Sequence, residues 1–181
     1  ALGGVESLTR NHLHQDISAD FYANPSNQSA AVNRPDFVIL SALEIDRDFN
    51  VNVISGSNGV IRAASGGHSD TAAMAKMSII VAPLIRGRLA TIMDRVTTIV
   101  TPGETVDVVV TELGITVNPK RNDLKEKFKK AGLKLIEMDE LIEKAKYIVG
   151  EAKPIEFTDE VVAVVEYRDG SIIDVIKKVK K

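Results

Sequence analysis

The sequence predicts an α/β fold in which helices cover a central, mixed and largely parallel sheet, with a terminal antiparallel hairpin. Short aliphatic runs recur along the chain, and two amphipathic segments of helical period follow them. Near the end, an Asp169-Gly170 turn separates two β-rich runs. The 181 residues can bury a sizeable core. We therefore expect residues 1–181 to form a single α/β domain.

The first half of the chain predicts an arm, two strands and a helix. Residues 1–33 scatter Asn, His, Ser and Pro without a period, and this predicts an irregular N-terminal arm. The apolar run after Asp36 predicts a strand that is buried on both faces of a parallel sheet, and residues 51–54 predict a second strand. Alanine and methionine in residues 71–77 favour a helix, which a serine or aspartate just before it can cap.

The second half predicts further strands, two surface helices and the hairpin. Apolar spacing of the helical period predicts helices over 124–131 and 141–149. The hairpin is predicted from the runs 161–167 and 171–176. The other predicted strands are residues 78–82, 96–100, 106–110 and 115–117.

Composition excludes several classes of function. Cysteine is absent, which removes thiol nucleophiles, cysteine-ligated zinc and iron-sulfur clusters. The net charge of -2 supplies no basic field, so a general nucleic-acid binder is disfavoured. No apolar run approaches the ~20 residues that span a bilayer, and no export leader is visible. We therefore expect a soluble, cytoplasmic protein without a membrane partner.

The candidate site is the glycine loop at residues 65–70, Ser-Gly-Gly-His-Ser-Asp, just before the predicted helix. Ligands of open α/β sheets often bind where a glycine loop enters a helix. Adjacent glycines let a ligand approach the backbone, and the amides that follow can hold a phosphate, a carboxylate or an oxyanion. A tight connection without a ligand is the alternative interpretation.

Titratable residues add two hypotheses. His68 and Asp70 form a candidate acid-base pair, although capping explains His68 equally well. His12, His14 and Asp16 alternate, so in an extended chain they share one face as metal ligands do. An exposed polar arm explains these three residues better, and we expect no metal site.

Three glutamates lie at predicted strand ends or turns. They are Glu44, Glu104 and Glu112. The default interpretation of such carboxylates is a solvated surface.

Ordered phrases then cover almost the whole chain, from about Ile17 to the tail. They are Asn33 and residues 38–46, 49–53, 65–73, 78–88, 100–108, 154–159 and 162–170. Together they closely resemble the carboxyl-terminal half of the citrate lyase alpha chain family, which is similar to coenzyme A transferases. The resemblance implies the carboxyl-terminal domain of a longer alpha subunit, with this chain about half its length.

This resemblance implies a citrate to acyl-carrier-protein transferase, which exchanges acetyl for citryl on the carrier thioester during citrate breakdown to oxaloacetate and acetate. The implied partners are the lyase beta subunit and the gamma (acyl carrier) subunit, in an oligomer. No cofactor is covalently bound, because the carrier's prosthetic group or a coenzyme A thioester acts as substrate. A glutamate nucleophile, which related transferases use, belongs to a motif upstream of the matched segment, so this chain alone is expected to lack it.

The resemblance also implies a set of residues near the acyl and coenzyme A site. They are Asn52, Ser65, Gly66, Gly67, His68 and Asp70. Two other functions stay open: a non-catalytic assembly domain of the lyase complex, and a coenzyme A transferase for another short-chain acid.

Overall fold

Strands and helices alternate along the part of the chain that the structure, a computed structural model, describes: residues 9–10, 12–13, 15–32, 34–151 and 153–180. The strands are β1 (Phe37–Ser41), β2 (Glu44–Asp46), β3 (Val51–Asn52), β4 (Met77–Val81), β5 (Ile85–Arg86), β6 (Leu89–Ala90), β7 (Ile92–Met93), β8 (Val108–Thr111), β9 (Gly114–Val117), β10 (Phe157–Glu166) and β11 (Ile172–Val179). The helices are α1 (Ala19–Ala23), α2 (His68–Met74), α3 (Asn122–Lys130) and α4 (Met138–Val149), and a 3₁₀ turn spans Gly103–Thr105.

A four-stranded mixed sheet in the order β1-β4-β8-β9 forms the centre of the fold. β1, β4 and β8 run parallel, and β9 returns antiparallel to β8. In this register Ile79 lies between Ile39 and Val108. Aliphatic residues, many of them β-branched, dominate these strands because such side chains pack well on a pleated surface. The predicted α/β class with a largely parallel central sheet is confirmed.

The main core joins this sheet to a smaller sheet, in the order β3-β2-β7, and to α4. Ile45 of β2, Ile80 of β4 and Ile92 of β7 are fully buried in it. From α4 the core receives Leu141 and Ile142, which are also fully buried. Burying one such side chain stabilises the fold by about 1.5 to 3 kcal/mol.

Both predicted surface helices are present. In α4 the buried positions recur at helical spacing, and the helix ends where Gly150 adopts a φ of +77°. α3 turns Leu124 and Phe128 toward Val108 and Val117 at the other face of the central sheet. Among the described residues, no helix is long and apolar enough to cross a membrane.

The terminal hairpin is confirmed and is longer than the predicted runs. β10 and β11 pair antiparallel around a turn in which Gly170 has a φ of +84°. Its outer face is aliphatic and open, since Val162 is 52% and Ile172 is 61% exposed.

The strand predicted at residues 96–100 is wrong. Three backbone N–H groups of this segment donate to carboxylates: Val96 to Asp46, Thr97 to Glu44 and Ile99 to Asp174, at 3.3, 2.7 and 2.8 Å. The β-branched side chains still fill the interior, with Val96 and Val100 buried. The apolar pattern of this segment therefore reflects its burial. Its backbone N–H groups bond to side-chain carboxylates, where in a strand they would bond to the backbone of a neighbouring strand.

Two further details of the prediction are wrong. β1 is an edge strand whose residues Phe37 and Ile39 are 59% and 61% exposed, so it is not buried on both faces. Helix α2 starts earlier than predicted, with Gly67 as its N-cap and no side-chain cap, so Asp70 lies in its first turn. In addition, the segment predicted as an irregular arm contains the short helix α1, capped by the Ser18 hydroxyl.

Candidate functional site

The two glycines of the candidate loop have different surroundings. Gly66 has a φ of +53°, and a Cβ atom there would meet nothing within 4 Å. At Gly67 a Cβ atom would lie 3.0 Å from Cδ1 of Tyr22, a residue of α1. Gly66 thus leaves its backbone open to an approaching molecule, whereas Gly67 allows the N-terminal segment to pack on the loop.

The imidazole of His68 is held at both nitrogens. Nε2 lies 2.9 Å from the carbonyl oxygen of Ser41, and Nδ1 lies 2.7 Å from the hydroxyl of Thr101. Because a carbonyl oxygen only accepts, Nε2 carries the proton, and the neutral ring accepts from Thr101 at Nδ1. Burial lowers the pKa of His68 below its ordinary value of 6.5, and the bond to Ser41 opposes this. His68 therefore ties α2 to the end of β1.

This arrangement predicts a pH dependence of stability. Protonation of His68 is harder in the folded state than in the unfolded chain, so the full stabilisation is present above pH 6.5 and decreases below it. Its share of the decline has a slope of at most about 1.4 kcal/mol per pH unit. Urea unfolding of the protein at a series of pH values measures it. A His68→Gln variant should show a shallower decline between pH 6.5 and 5, and identical slopes would contradict the assignment.

Asp70 does not pair with His68 as the acid-base hypothesis proposed. Its carboxylate lies 3.0 Å from Nε of Arg168, and Nη2 of the same arginine donates to the carbonyl oxygen of Ser69 at 2.6 Å. Both side chains of the ion pair are nearly buried, at 9% exposure for Arg168 and 13% for Asp70. The guanidinium also lies 3.7 Å from the ring centroid of Tyr167. Asp70 thus anchors the terminal hairpin on α2.

Asn52 is fully buried and belongs to a polar network around Glu44. Its amide nitrogen donates to Oε2 of Glu44 and to the carbonyl of Ser55, both at 2.7 Å. Its amide oxygen accepts from the backbone N–H groups of Ile54 and Ser55. Asn52 therefore fixes the turn that leaves β3.

Glu44 is the residue that sequence reasoning placed wrongly, because only 1% of it is exposed. Its Oε1 accepts from the hydroxyls of Ser57 and Thr97 at 2.9 and 3.0 Å, and its Oε2 accepts from the Thr97 N–H at 2.7 Å. These donors offset the cost of burying the carboxylate. The sequence signal was its position between Leu43 and Ile45, since an acidic residue within an apolar run is often a buried one with partners.

The other two candidate glutamates and the candidate metal ligands of the N-terminal arm lie on the surface where the structure describes them. Glu104 and Glu112 are exposed, and Glu112 accepts from the backbone N–H of Leu84 at 3.0 Å. His12 and Asp16 are exposed, while His14 lies outside the described residues. Within the described part of the chain, no group of three or more His, Asp or Glu side chains is arranged to hold a metal ion.

The six residues implied by the resemblance form two neighbouring groups. His68 reaches Thr101, which exchanges backbone hydrogen bonds with Val51, the residue before Asn52. Ser65 closes the glycine loop by accepting from the His68 N–H at 3.1 Å. In this structure Asn52, His68 and Asp70 hold the framework, and Gly66 presents open backbone. Binding of an acyl group or coenzyme A at these residues stays a prediction.

Comparisons with known proteins give a consistent family. The family model described as citrate lyase, alpha subunit (CitF) matches residues 2–179. Citrate lyase alpha chains from Escherichia coli (strain K12) and Haemophilus influenzae are 56% and 58% identical to this chain; the matches cover 98% and 97% of it and 35% of each relative. A crystal structure of the alpha subunit of citrate lyase from Streptococcus mutans, in complex with citrate, matches 97% of this chain and 34% of that one, with 52% identity and a TM-score of 0.88.

The lengths of these matches bear on two expectations from the sequence, the share of the alpha subunit that this chain represents and its family. The chain spans about a third of the length of the curated relatives it matches, so the expected share of about half was too large. The resemblance drawn from the ordered phrases is confirmed by a match over nearly the whole chain. This chain belongs to the citrate lyase alpha subunit family.

Proposed function

We propose that this chain is the carboxyl-terminal domain of an alpha subunit that transfers citrate onto the thioester of an acyl carrier protein. The observation that carries the proposal is identity of 52% to 58% with citrate lyase alpha chains over 97% of this chain or more. The Streptococcus mutans relative was solved with citrate, which supports citrate as the acid.

In this reaction a citrate carboxylate takes the place of acetate on the carrier sulfur. The bond between acetyl carbon and sulfur breaks, a bond between a citrate carboxyl carbon and sulfur forms, and acetate leaves with one oxygen of citrate. The carrier's prosthetic group or coenzyme A is a substrate, and no covalently bound cofactor is needed. We place Ser65, Gly66 and Gly67 beside the thioester, supported from behind by Asn52, His68 and Asp70.

The proposal includes the setting of the reaction. The partners are the beta subunit, which cleaves the citryl thioester, and the gamma subunit, which is the acyl carrier, in a cytoplasmic oligomer. The nucleophilic glutamate lies outside this chain.

A second candidate function is assembly without catalysis. The observation that favours it is the exposed aliphatic surface of the hairpin, where Val162 and Val164 are each about half exposed and Ile172 is 61% exposed. Contiguous apolar surface of this kind often marks a protein interface. The alternative of a coenzyme A transferase for another short-chain acid differs only in the acid that is accepted.

The three functions are separated by one assay on the alpha subunit that carries this chain. The subunit is mixed with acetylated acyl carrier protein and citrate, and the carrier is followed by mass spectrometry. We expect a citrate-dependent mass shift from acetyl to citryl carrier. Carrier binding without any shift would favour the assembly function. A shift with acetoacetate or butyrate on coenzyme A, and none with citrate, would favour the other transferase.

A further inference from the structure

The loop of residues 55–61 stands at the meeting point of three cavities, and Ser57 lines all of them. The cavities have volumes of about 290, 270 and 260 Å³. Basic side chains surround this point, and each contributes to a cavity wall. They are Arg62, Arg86, Arg88, Arg95 and Lys153.

Three arginines elsewhere in the described chain form ion pairs. Arg47, Arg121 and Arg168 each lie within 3.0 Å of an aspartate oxygen. The five basic residues around Ser57 form no ion pair with any described carboxylate. Two of them, Arg62 and Arg86, line one cavity. Unpaired cations of this kind, in a chain of net charge -2, indicate a site for an anion from solution.

The 290 Å³ cavity has the clearest charge. Arg62 and Arg86 line it, together with the polar residues Ser57, Asn58 and Thr91, and no carboxylate is on its wall. The neighbouring cavities also contain carboxylates, Glu151 in one and Glu44 in the other.

The fold orients the side chain of Arg86 directly, and it positions Arg62 through its backbone. Nη2 of Arg86 donates to the carbonyl oxygen of Ala42 at 3.0 Å, which orients the guanidinium at the end of β1. The backbone N–H of Arg62 donates to the carbonyl of Ile54 at 2.7 Å, and its side chain lies over Gly56, with Nε 3.7 Å from the position of a Cβ atom there. The guanidinium of Arg86 is oriented by this bond, and an arginine guanidinium can bind a carboxylate with two parallel hydrogen bonds.

Ser57 adds a polar group of defined direction. Its hydroxyl donates to Oε1 of the buried Glu44 at 2.9 Å, so its proton is already committed. The lone pairs of the Ser57 oxygen remain for a donor, and a hydroxyl group of the ligand fits this role.

We propose that the cavity lined by Ser57, Arg62 and Arg86 binds the carboxylates of citrate, with Ser57 accepting from the tertiary hydroxyl. This assignment rests on the proposed function, since that function supplies citrate as the ligand. The two arginines neutralise two of the three carboxylates, and the third carboxylate stays free for transfer. None of residues 65–70 of the glycine loop lines this cavity.

Calorimetric titration of citrate into the alpha subunit, without any carrier, tests the proposal. Arg62→Gln and Arg86→Gln should each weaken citrate binding by roughly 10-fold to 100-fold, because each loses a bidentate charged contact. Arg62→Lys should recover only part of the affinity, since a lysine keeps the charge but not the paired geometry. Arg34→Gln, which removes an exposed and unpaired arginine elsewhere, is the matched control and should leave the affinity unchanged.

Two other ligands test whether the cavity recognises citrate, including its hydroxyl group, or the phosphates of coenzyme A. Tricarballylate lacks the hydroxyl of citrate, so it should bind more weakly than citrate to the unsubstituted protein and equally with citrate to Ser57→Ala. Adenosine 3′,5′-bisphosphate represents the phosphates of coenzyme A and should be insensitive to Arg62→Gln.

The proposal is overturned if the folded protein does not bind citrate, if the arginine variants bind like the control, or if only the bisphosphate responds to them. Melting temperatures of all variants verify folding. Because binding is measured without carrier or turnover, a failed transfer assay does not alter this result.

Discussion

Replacement of Gly103 by alanine is expected to destabilise this domain more than the same change at a described glycine that has open surroundings. A Cβ atom at this position would overlap the carbonyl oxygen of Asp48, and it would lie 2.8 Å from the carbonyl carbon of Phe49 and 2.9 Å from the nitrogen of Asn50. All three atoms belong to the backbone, so no side-chain rotation relieves the overlap.

The opposing turn is also fixed in place. The carboxylate of Asp46 accepts from the backbone N–H groups of Asp48 and Asn50 at 3.0 and 2.9 Å, and burial raises the pKa of this carboxyl group. Phe49 is 2% exposed and adopts a φ of +66°, a conformation that costs a non-glycine residue energy. A shift of this turn would therefore disturb the core.

Gly103 itself is held from both sides. Its N–H donates to Oδ1 of Asn50 at 2.9 Å, and its carbonyl accepts from the amide of Asn118, which also donates to Val106. Neither the turn at residues 48–50 nor Gly103 can move aside without breaking these hydrogen bonds. We therefore expect Gly103→Ala to lower the free energy of unfolding by about 3 kcal/mol or more.

Thermal and urea unfolding of the alpha subunit measure this loss. Gly132→Ala is the matched control, because Gly132 has a φ of +70° and no atom within 4 Å of its Cβ position. The control should cost only about 1 to 2 kcal/mol, the price of a left-handed conformation. Equal losses in the two variants would show that the turn at Asp48 moves freely.

The strands of the central sheet could be predicted because each is a short aliphatic run, although the edge strand β1 leaves Phe37 and Ile39 exposed. β4 and β8 have this pattern, and the hairpin was marked by its Asp169-Gly170 turn. The helices followed from apolar spacing, since α4 buries one face and exposes the other.

What could not be predicted depends on partners far apart in sequence. Residues 96–100 have the composition of a strand, yet their N–H groups donate to Asp46, Glu44 and Asp174, the last of them 75 positions away. Composition shows that such a segment is buried, but it does not show which acceptors it meets.

The candidate site could be predicted only in part, again because some of its contacts join residues that are far apart in the sequence. A helix does follow the glycine loop, although it begins at His68, three residues earlier than predicted, and Gly66 has open surroundings. The role of Asp70 was not visible, because its partner Arg168 lies 98 positions later. The arginines near Ser57 were also missed, since they are spread along the chain and only the fold brings them to one cavity.

The ion pair between Arg168 and Asp70 gives the second large effect. We expect Arg168→Ala to lower the free energy of unfolding by about 3 to 5 kcal/mol, because it leaves the carboxylate of Asp70 nearly buried without a cation. The variant also loses the 2.6 Å bond to Ser69, so the hairpin should separate from α2. Hydrogen exchange should report this as faster exchange in β10, β11 and α2 together.

A matched control and a second variant separate this structural role from substrate binding. Lys178 pairs with Glu160 on the same hairpin, with both side chains more than half exposed, so Lys178→Ala should cost no more than about 1 kcal/mol. Replacing Arg168 and Asp70 together with methionine and leucine removes both charges and should recover much of the stability lost in Arg168→Ala. If the double variant is stable and retains citrate transfer, then Asp70 anchors the hairpin and does not contact the thioester. Loss of transfer in a stable double variant, with hydrogen exchange unchanged, would instead return Asp70 to the acyl site.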